Sequence, residues 1–281
     1  MIKALEARES EQLDAPAAEA AHDHPISIAR AKELMAGDLG AAYRDILRRS
    51  CAPVYWFGLS SRVPRIINNG TLTFVRTPER LLAVTAAHVF RGWEADNKKQ
   101  RIRLQVSNLV VDDLWSKLVD VSDELDVATI QIDDRFLAAL GRDVAPLTSW
   151  PPQVPQEGKG IMLAGYPAIE RIETEPFSVD FGLFTALVIA RRVSERQITW
   201  LVERDHQLEN SEVRPPPEKY DLGGVSGGPL ISWFESPQHV VHYRLSGIII
   251  QHPDYANSDF AIERIIASRA DAITESGRIV S

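Results

Sequence analysis

The chain has one cysteine, Cys51, among its 281 residues, so no disulfide can form within it. That excludes the small disulfide-stapled scaffolds, favours a reducing compartment, and leaves folding to a hydrophobic core. With 44% hydrophobic residues such a core is ample. No hydrophobic run approaches a membrane-spanning length; the most apolar, residues 183–190, is strand-sized. A basic surplus is missing too. Lys and Arg number 31 against 39 Asp and Glu, a formal charge of −8 at pH 7, which argues against a general nucleic-acid surface. The local cluster Lys98, Lys99, Arg101 and Arg103 reads as a solvated strand edge. Residues 1–25 lack the apolar stretch of a signal peptide and carry six acidic groups (Glu6, Glu9, Glu11, Asp14, Glu19, Asp23) against Lys3 and Arg8. The expectation is a soluble, cytoplasmic protein with neither a membrane nor a nucleic-acid partner. His22 and His24 stand without further ligands, so no metal site is expected, and no cofactor.

Of the 16 glycines, four fall within one eight-residue stretch. Four glycines surround a serine in GGVSGGPL, Gly223 to Leu230, a density that lets the backbone adopt positive φ and approach a bound group closely. Ser226 is therefore expected to be presented and not buried. A nucleophilic hydroxyl needs a base and a group that orients the base. Both candidates lie upstream: His88 in TAAHV, Thr85 to Val89, and Asp126, which opens the alternating run DVATIQI. Asp123 and Glu124 compete for the second role, but neither opens the alternating run. Taken singly, each residue has a plain structural reading as a satisfied histidine, a turn cap or a tight turn. Their joint occurrence in β context points to chemistry.

In chain order, residues 1–25 read as an arm of low periodicity. Residues 27–49 read as helix, with Ile28, Leu34, Met35, Leu39, Tyr43, Ile46 and Leu47 at three- and four-residue spacing, and Gly37 and Gly40 as points of division. That helix packs on the outside of the body or shields the site; both placements are open. Strands are expected at 54–59, 71–76, 81–85, 101–106, 109–111 and 127–132. Asn68-Asn69-Gly70 reads as a turn, and His88 sits on a short helical turn. Pro146, Pro151, Pro152 and Pro155 mark a connector. Further strands follow at 159–165, 179–190, 197–203, 229–233 and 240–250, and residues 204–220, with Pro215-Pro216-Pro217, form a surface loop. Ser258 or Asp259 caps a helix towards Ala272 that turns Ile262, Ile265, Ile266 and Ala270 inward. The expected organisation is mostly β: an arm and helix over 1–50, a first barrel over 51–145, a connector over 146–157, a second barrel over 158–256, and a C-terminal helix and tail over 257–281.

The segments around His88, Asp126 and Ser226, in that order, resemble the chymotrypsin-like (trypsin-like) serine peptidases, in a bacterial-type intracellular form without disulfides, over roughly residues 51–254. The resemblance implies two packed six-stranded-type β-barrels with the cleft between them. It implies Ser226 as nucleophile, His88 as general base, Asp126 as its orienting carboxylate, and the Gly224 and Ser226 N–H groups as oxyanion hole. It also implies a specificity pocket with Tyr220 and Asp221 at its base and Ile250, Gln251 and His252 on its wall. Asp221 would favour a basic substrate side chain and His252 an acidic one, and the residues do not choose between them. One departure stands out. Many secreted members carry aspartate before the nucleophile, paired with a newly released N-terminus, where this chain has Val225. An enzyme competent on folding, or switched by a regulatory protein partner or by the helix at 27–49, is expected instead. The function implied is endopeptidase action on protein or peptide substrates; the alternative is a catalytically silent peptide-binding module. Esterase chemistry of the α/β-hydrolase kind does not fit the chain order.

Overall fold

The computed structural model describes residues 28–59, 66–146, 149–175, 178–201, 220–235, 241–251 and 264–280. The N-terminal arm with His22 and His24, the triple proline at 215–217, His252, Ser258, Asp259 and Ile262 lie outside the described residues.

The helical stretch divides at Gly37 into α1 (Ile28–Ala36) and α2 (Asp38–Ser50). The chain then enters β1 (Cys51–Gly58), a strand buried along nearly its whole length because it pairs on both sides. β2 (Ile67–Arg76), β3 (Leu81–Thr85), α3 (Ala87–Lys99), β4 (Ile102–Val106), β5 (Leu109–Val110), β6 (Leu118–Ser122), β7 (Val127–Gln131) and α4 (Asp134–Leu140) follow. The seven strands form one antiparallel sheet in the order β5-β4-β1-β2-β3-β7-β6. A second sheet is built from β8 (Gly160–Gly165), which is followed by the separate hairpin β9 (Arg171–Glu175) and β10 (Ser178–Phe181), then β11 (Phe184–Ile189), β12 (Arg192–Val193), β13 (Gln197–Leu201), β14 (Pro229–Glu235), β15 (Val241–Gln251) and β16 (Arg264–Arg269). Its order is β11-β8-β14-β15-β16-β13-β12. The protein is thus mostly β and antiparallel, with seven strands in each of its two large sheets. Among the described residues the outer strands of neither sheet pair with one another.

The two sheets share a core. One cluster joins Leu72, Phe74, Leu82, Val84 and Ile130 of the first sheet to Leu245, Ile248, Ile250 and Ile266 of the second. α2 rests elsewhere: Leu47, 2% exposed, and Tyr43 pack with Met162, Ala164, Tyr166, Ile231 and Tyr243. That places the helix on the body of the molecule, against β1, β2 and β8.

Several sequence expectations are corrected. Asn68-Asn69-Gly70 is strand, paired with Trp56, Tyr55 and Val54 of β1. Gly70 is there because a Cβ would lie 2.6 Å from Val89 Cγ1, so α3 can pack against the strand. The single strand expected over 179–190 is broken into β10 and β11. Lys98 and Lys99 end α3, whereas Arg103 sits in β4, so the basic cluster is not one strand edge. The C-terminal helix is instead β16 followed by a single 3-10 turn, Ala270–Ala272. Because β16 pairs with both β13 and β15, the second sheet runs past residue 256, to Arg269. The tail then returns to the first sheet, where Gly277 O accepts from Thr129 Oγ1 at 2.6 Å and Asp120 Oδ2 accepts from Ile279 N–H at 2.9 Å. Among the described residues no helix is long and apolar enough to cross a membrane.

Candidate active site

β3 delivers Thr85 to the seam between the sheets, and α3 begins two residues later, so His88 stands in the first turn of a 13-residue helix and not on a short isolated turn. Its side chain is 51% exposed. Asp126 closes the turn before β7 with φ +53, a left-handed conformation that aspartate tolerates better than most residues. In that pose its carboxylate reaches back to His88 twice. Oδ1 accepts the His88 backbone N–H at 2.8 Å, and Oδ2 lies 2.7 Å from Nδ1. A carboxylate beside Nδ1 makes that nitrogen the donor and leaves Nε2 as the acceptor. The competing acids are engaged elsewhere. Asp123 pairs with Arg91 at 3.1 and 3.0 Å, and this hydrogen-bonded guanidinium holds its carboxyl below the ordinary value; Glu124 pairs with Arg196.

The serine turn precedes β14. Gly224 and Gly227 have φ of +103 and +93, and a Cβ at Gly227 would lie 1.9 Å from Thr71 O and 2.3 Å from Thr85 Oγ1. Both positions therefore require glycine. The second contact also brings the turn against the strand that ends three residues before His88. Most N–H groups of the turn are used. Gly223 donates to Asp221 Oδ1 at 2.8 Å, Val225 to Leu222 O at 3.0 Å, Gly227 to Ile249 O at 2.7 Å and Gly228 to Val225 O at 2.9 Å. Among the described residues, the Gly224 and Ser226 N–H groups donate to none. Ala168 N–H holds Gly223 O at 2.7 Å, and since C=O and N–H of one peptide point in opposite directions, the Gly224 N–H is turned away from that contact. Two free donors flanking a hydroxyl suit an oxygen that gains negative charge, a contribution of about 3–4 kcal/mol to a barrier where such a donor operates.

Ser226 itself is only 2% exposed, so the presented serine of the sequence reading is in fact buried; its carbonyl accepts the Thr71 N–H at 2.8 Å. Among the described residues no hydrogen bond joins Ser226 Oγ to the His88 ring.

Of the five residues expected in a specificity pocket, four are described. Tyr220 is half-buried, its hydroxyl donates to Glu170 Oε1 at 2.5 Å, and its ring lies 6.1 Å from that of Phe184. Burial, reinforced by the Glu170 bond, raises its pKa. Asp221 is exposed, with one oxygen occupied by the Gly223 N–H, so it braces the turn. Ile250 is 9% exposed and falls where the pairing of β15 with β16 shifts register, and Gln251 is exposed. Thr71, Thr73, Ala168 and Glu170 carry no signal of this role in the sequence; the serine-turn partners of the first three lie 55 or more residues away and leave no local pattern.

No model of a known protein family matches the chain, and no curated protein matches it. The site's own groups are a hydroxyl on a tight turn, a histidine held by a carboxylate, and two peptide donors without a partner among the described residues.

Proposed function

We propose that this protein is a serine endopeptidase of the chymotrypsin-like kind, each of its two sheets curling into one of that fold's barrels. The observation that carries the reading is the doubly bonded Asp126–His88 pair, together with the free N–H groups of Gly224 and Ser226. Ser226 Oγ attacks the carbonyl carbon of a peptide bond and passes its proton to His88 Nε2. The C–N bond then breaks and the amine leaves with that proton. Water repeats the sequence on the acyl ester and frees Ser226. Asp126 keeps Nδ1 protonated throughout and stabilises the imidazolium. The substrate is an extended protein or peptide chain, and the lone buried Cys51 fits a reducing, cytoplasmic setting. Control of such an activity falls to a regulatory protein partner.

Turnover of a mixed peptide library tests the reading. Wild type cleaves, and Ser226→Ala and His88→Ala each fall by about four to six orders of magnitude. Equal cleavage by Ser226→Ala refutes it. The low exposure of Ser226 and the lack of a bond to His88 favour a second reading, a silent module that only binds extended peptides. Peptide binding without cleavage by wild type is the result that selects it.

A further inference from the structure

The serine turn belongs to the second sheet, yet its carbonyls are held by threonines of the first. Thr71 and Thr73 are neighbours on one face of β2 and both are fully buried. The Thr71 hydroxyl donates to Gly224 O at 2.9 Å and accepts the Tyr166 N–H at 3.1 Å, which uses its one hydrogen and one of its lone pairs. The Thr71 N–H reaches Ser226 O at 2.8 Å, and Thr73 Oγ1 donates to Gly227 O at 2.7 Å. Thr85 Oγ1 in turn holds Thr71 O at 2.8 Å, tying this grip to the strand that leads to His88. Gly224 C=O is the carbonyl of the peptide between the two free donors. Pinning it towards Thr71 sends the Val225 N–H to Leu222 O and leaves the flanking N–H groups of Gly224 and Ser226 unpaired among the described residues.

We propose that Thr71 and Thr73 are positioning residues that impose the donor geometry of the serine turn across the sheet interface. The inference rests on the hydrolase reading for its catalytic consequence but not for the grip itself. The grip is neutral, which suits a turn whose residue before the serine is Val225. It also makes the oxyanion donors conditional on the docking of one sheet against the other.

Thr71→Val keeps the shape and removes the hydroxyl, whereas Thr71→Ser keeps the hydroxyl. In Thr71→Val the Val225, Gly227 and Gly228 amides exchange with deuterium at least about tenfold faster, while β14 amides beyond Leu230 are unchanged. Its kcat falls at least about tenfold with KM within about twofold, and its affinity for a peptide boronate, which forms a tetrahedral adduct, weakens in parallel. Thr71→Ser restores all three. Unchanged exchange in Thr71→Val overturns the grip, and a raised KM at constant kcat overturns the positioning role. If Thr71→Val does not fold, Thr73→Val, which frees Gly227 O, is read by the same three measurements. A wild type that cleaves nothing refutes the hydrolase reading alone, and the exchange comparison still decides the grip.

Discussion

Gly165 and Val225 pack backbone against side chain: a Cβ on Gly165 would lie 2.6 Å from Val225 Cα and 2.7 Å from its Cβ. Val225 is 1% exposed among Leu163, Trp200, Leu230 and Ile249. The residue before the serine is thus anchored by apolar burial. Aspartate there would bring a charge into a site whose neighbours are hydrocarbon. Val225→Asp is expected to lose about 3–5 kcal/mol of stability in denaturant unfolding, the usual cost of an uncompensated buried charge. A loss below about 1 kcal/mol would contradict the apolar anchoring of position 225.

Asp126 combines a left-handed backbone with two bonds to one histidine. Asparagine accepts that backbone as readily, yet the two His88 groups are held by separate carboxylate oxygens, and its amide replaces one of them by an NH2 donor. Asp126→Asn should therefore fold with a melting temperature near that of wild type and lose about four orders of magnitude in kcat, because the imidazole is held in the wrong tautomer. Turnover within tenfold of wild type would show that Asp126 does not orient the base.

Cys51 is fully buried, with Sγ 3.2 Å from Leu47 O. Burial pushes its thiol up to about 12 from an ordinary 9.0, despite the opposing charge of Arg142 and the Tyr166 hydrogen bond. The unfolded chain releases this proton near pH 9 and the folded protein retains it. The neutral thiol thus has no effect on stability at lower pH, and stability is lost as pH rises from about 9 to about 12, by up to about 1.4 kcal/mol per unit. Unfolding curves of wild type and Cys51→Ala should run parallel at neutral pH and diverge above pH 9. Rapid alkylation of folded wild type at pH 8 would contradict this burial.

Local signals pick out His88, Asp126 and Ser226 as candidates by residue type at a strand end or in a glycine turn, and the structure pairs the first two. The errors have physical causes. Ile265-Ile266-Ala267 is buried on both faces, Ile265 and Ala267 in one cluster and Ile266 in the other, so β16 has no alternation and reads as helix. Gly70 looked like turn chemistry but serves a close approach of α3. α4 is absent from the strand-dominated reading although its ends are signalled: Asp133 caps Phe136 N–H at 2.8 Å, and Gly141 is left-handed. The threonine grip could not have been seen, since Thr71 and Gly224 are 153 residues apart and only the docking of the two sheets brings them together.

The central claim is that Ser226 is a nucleophile activated by His88. Reaction with a serine-directed fluorophosphonate, followed by mass analysis of the modified peptide, tests it most directly. The account predicts one adduct on Ser226 in wild type, and its loss in both Ser226→Ala and His88→Ala. An adduct that persists in Ser226→Ala, or a wild type that never reacts, would contradict it.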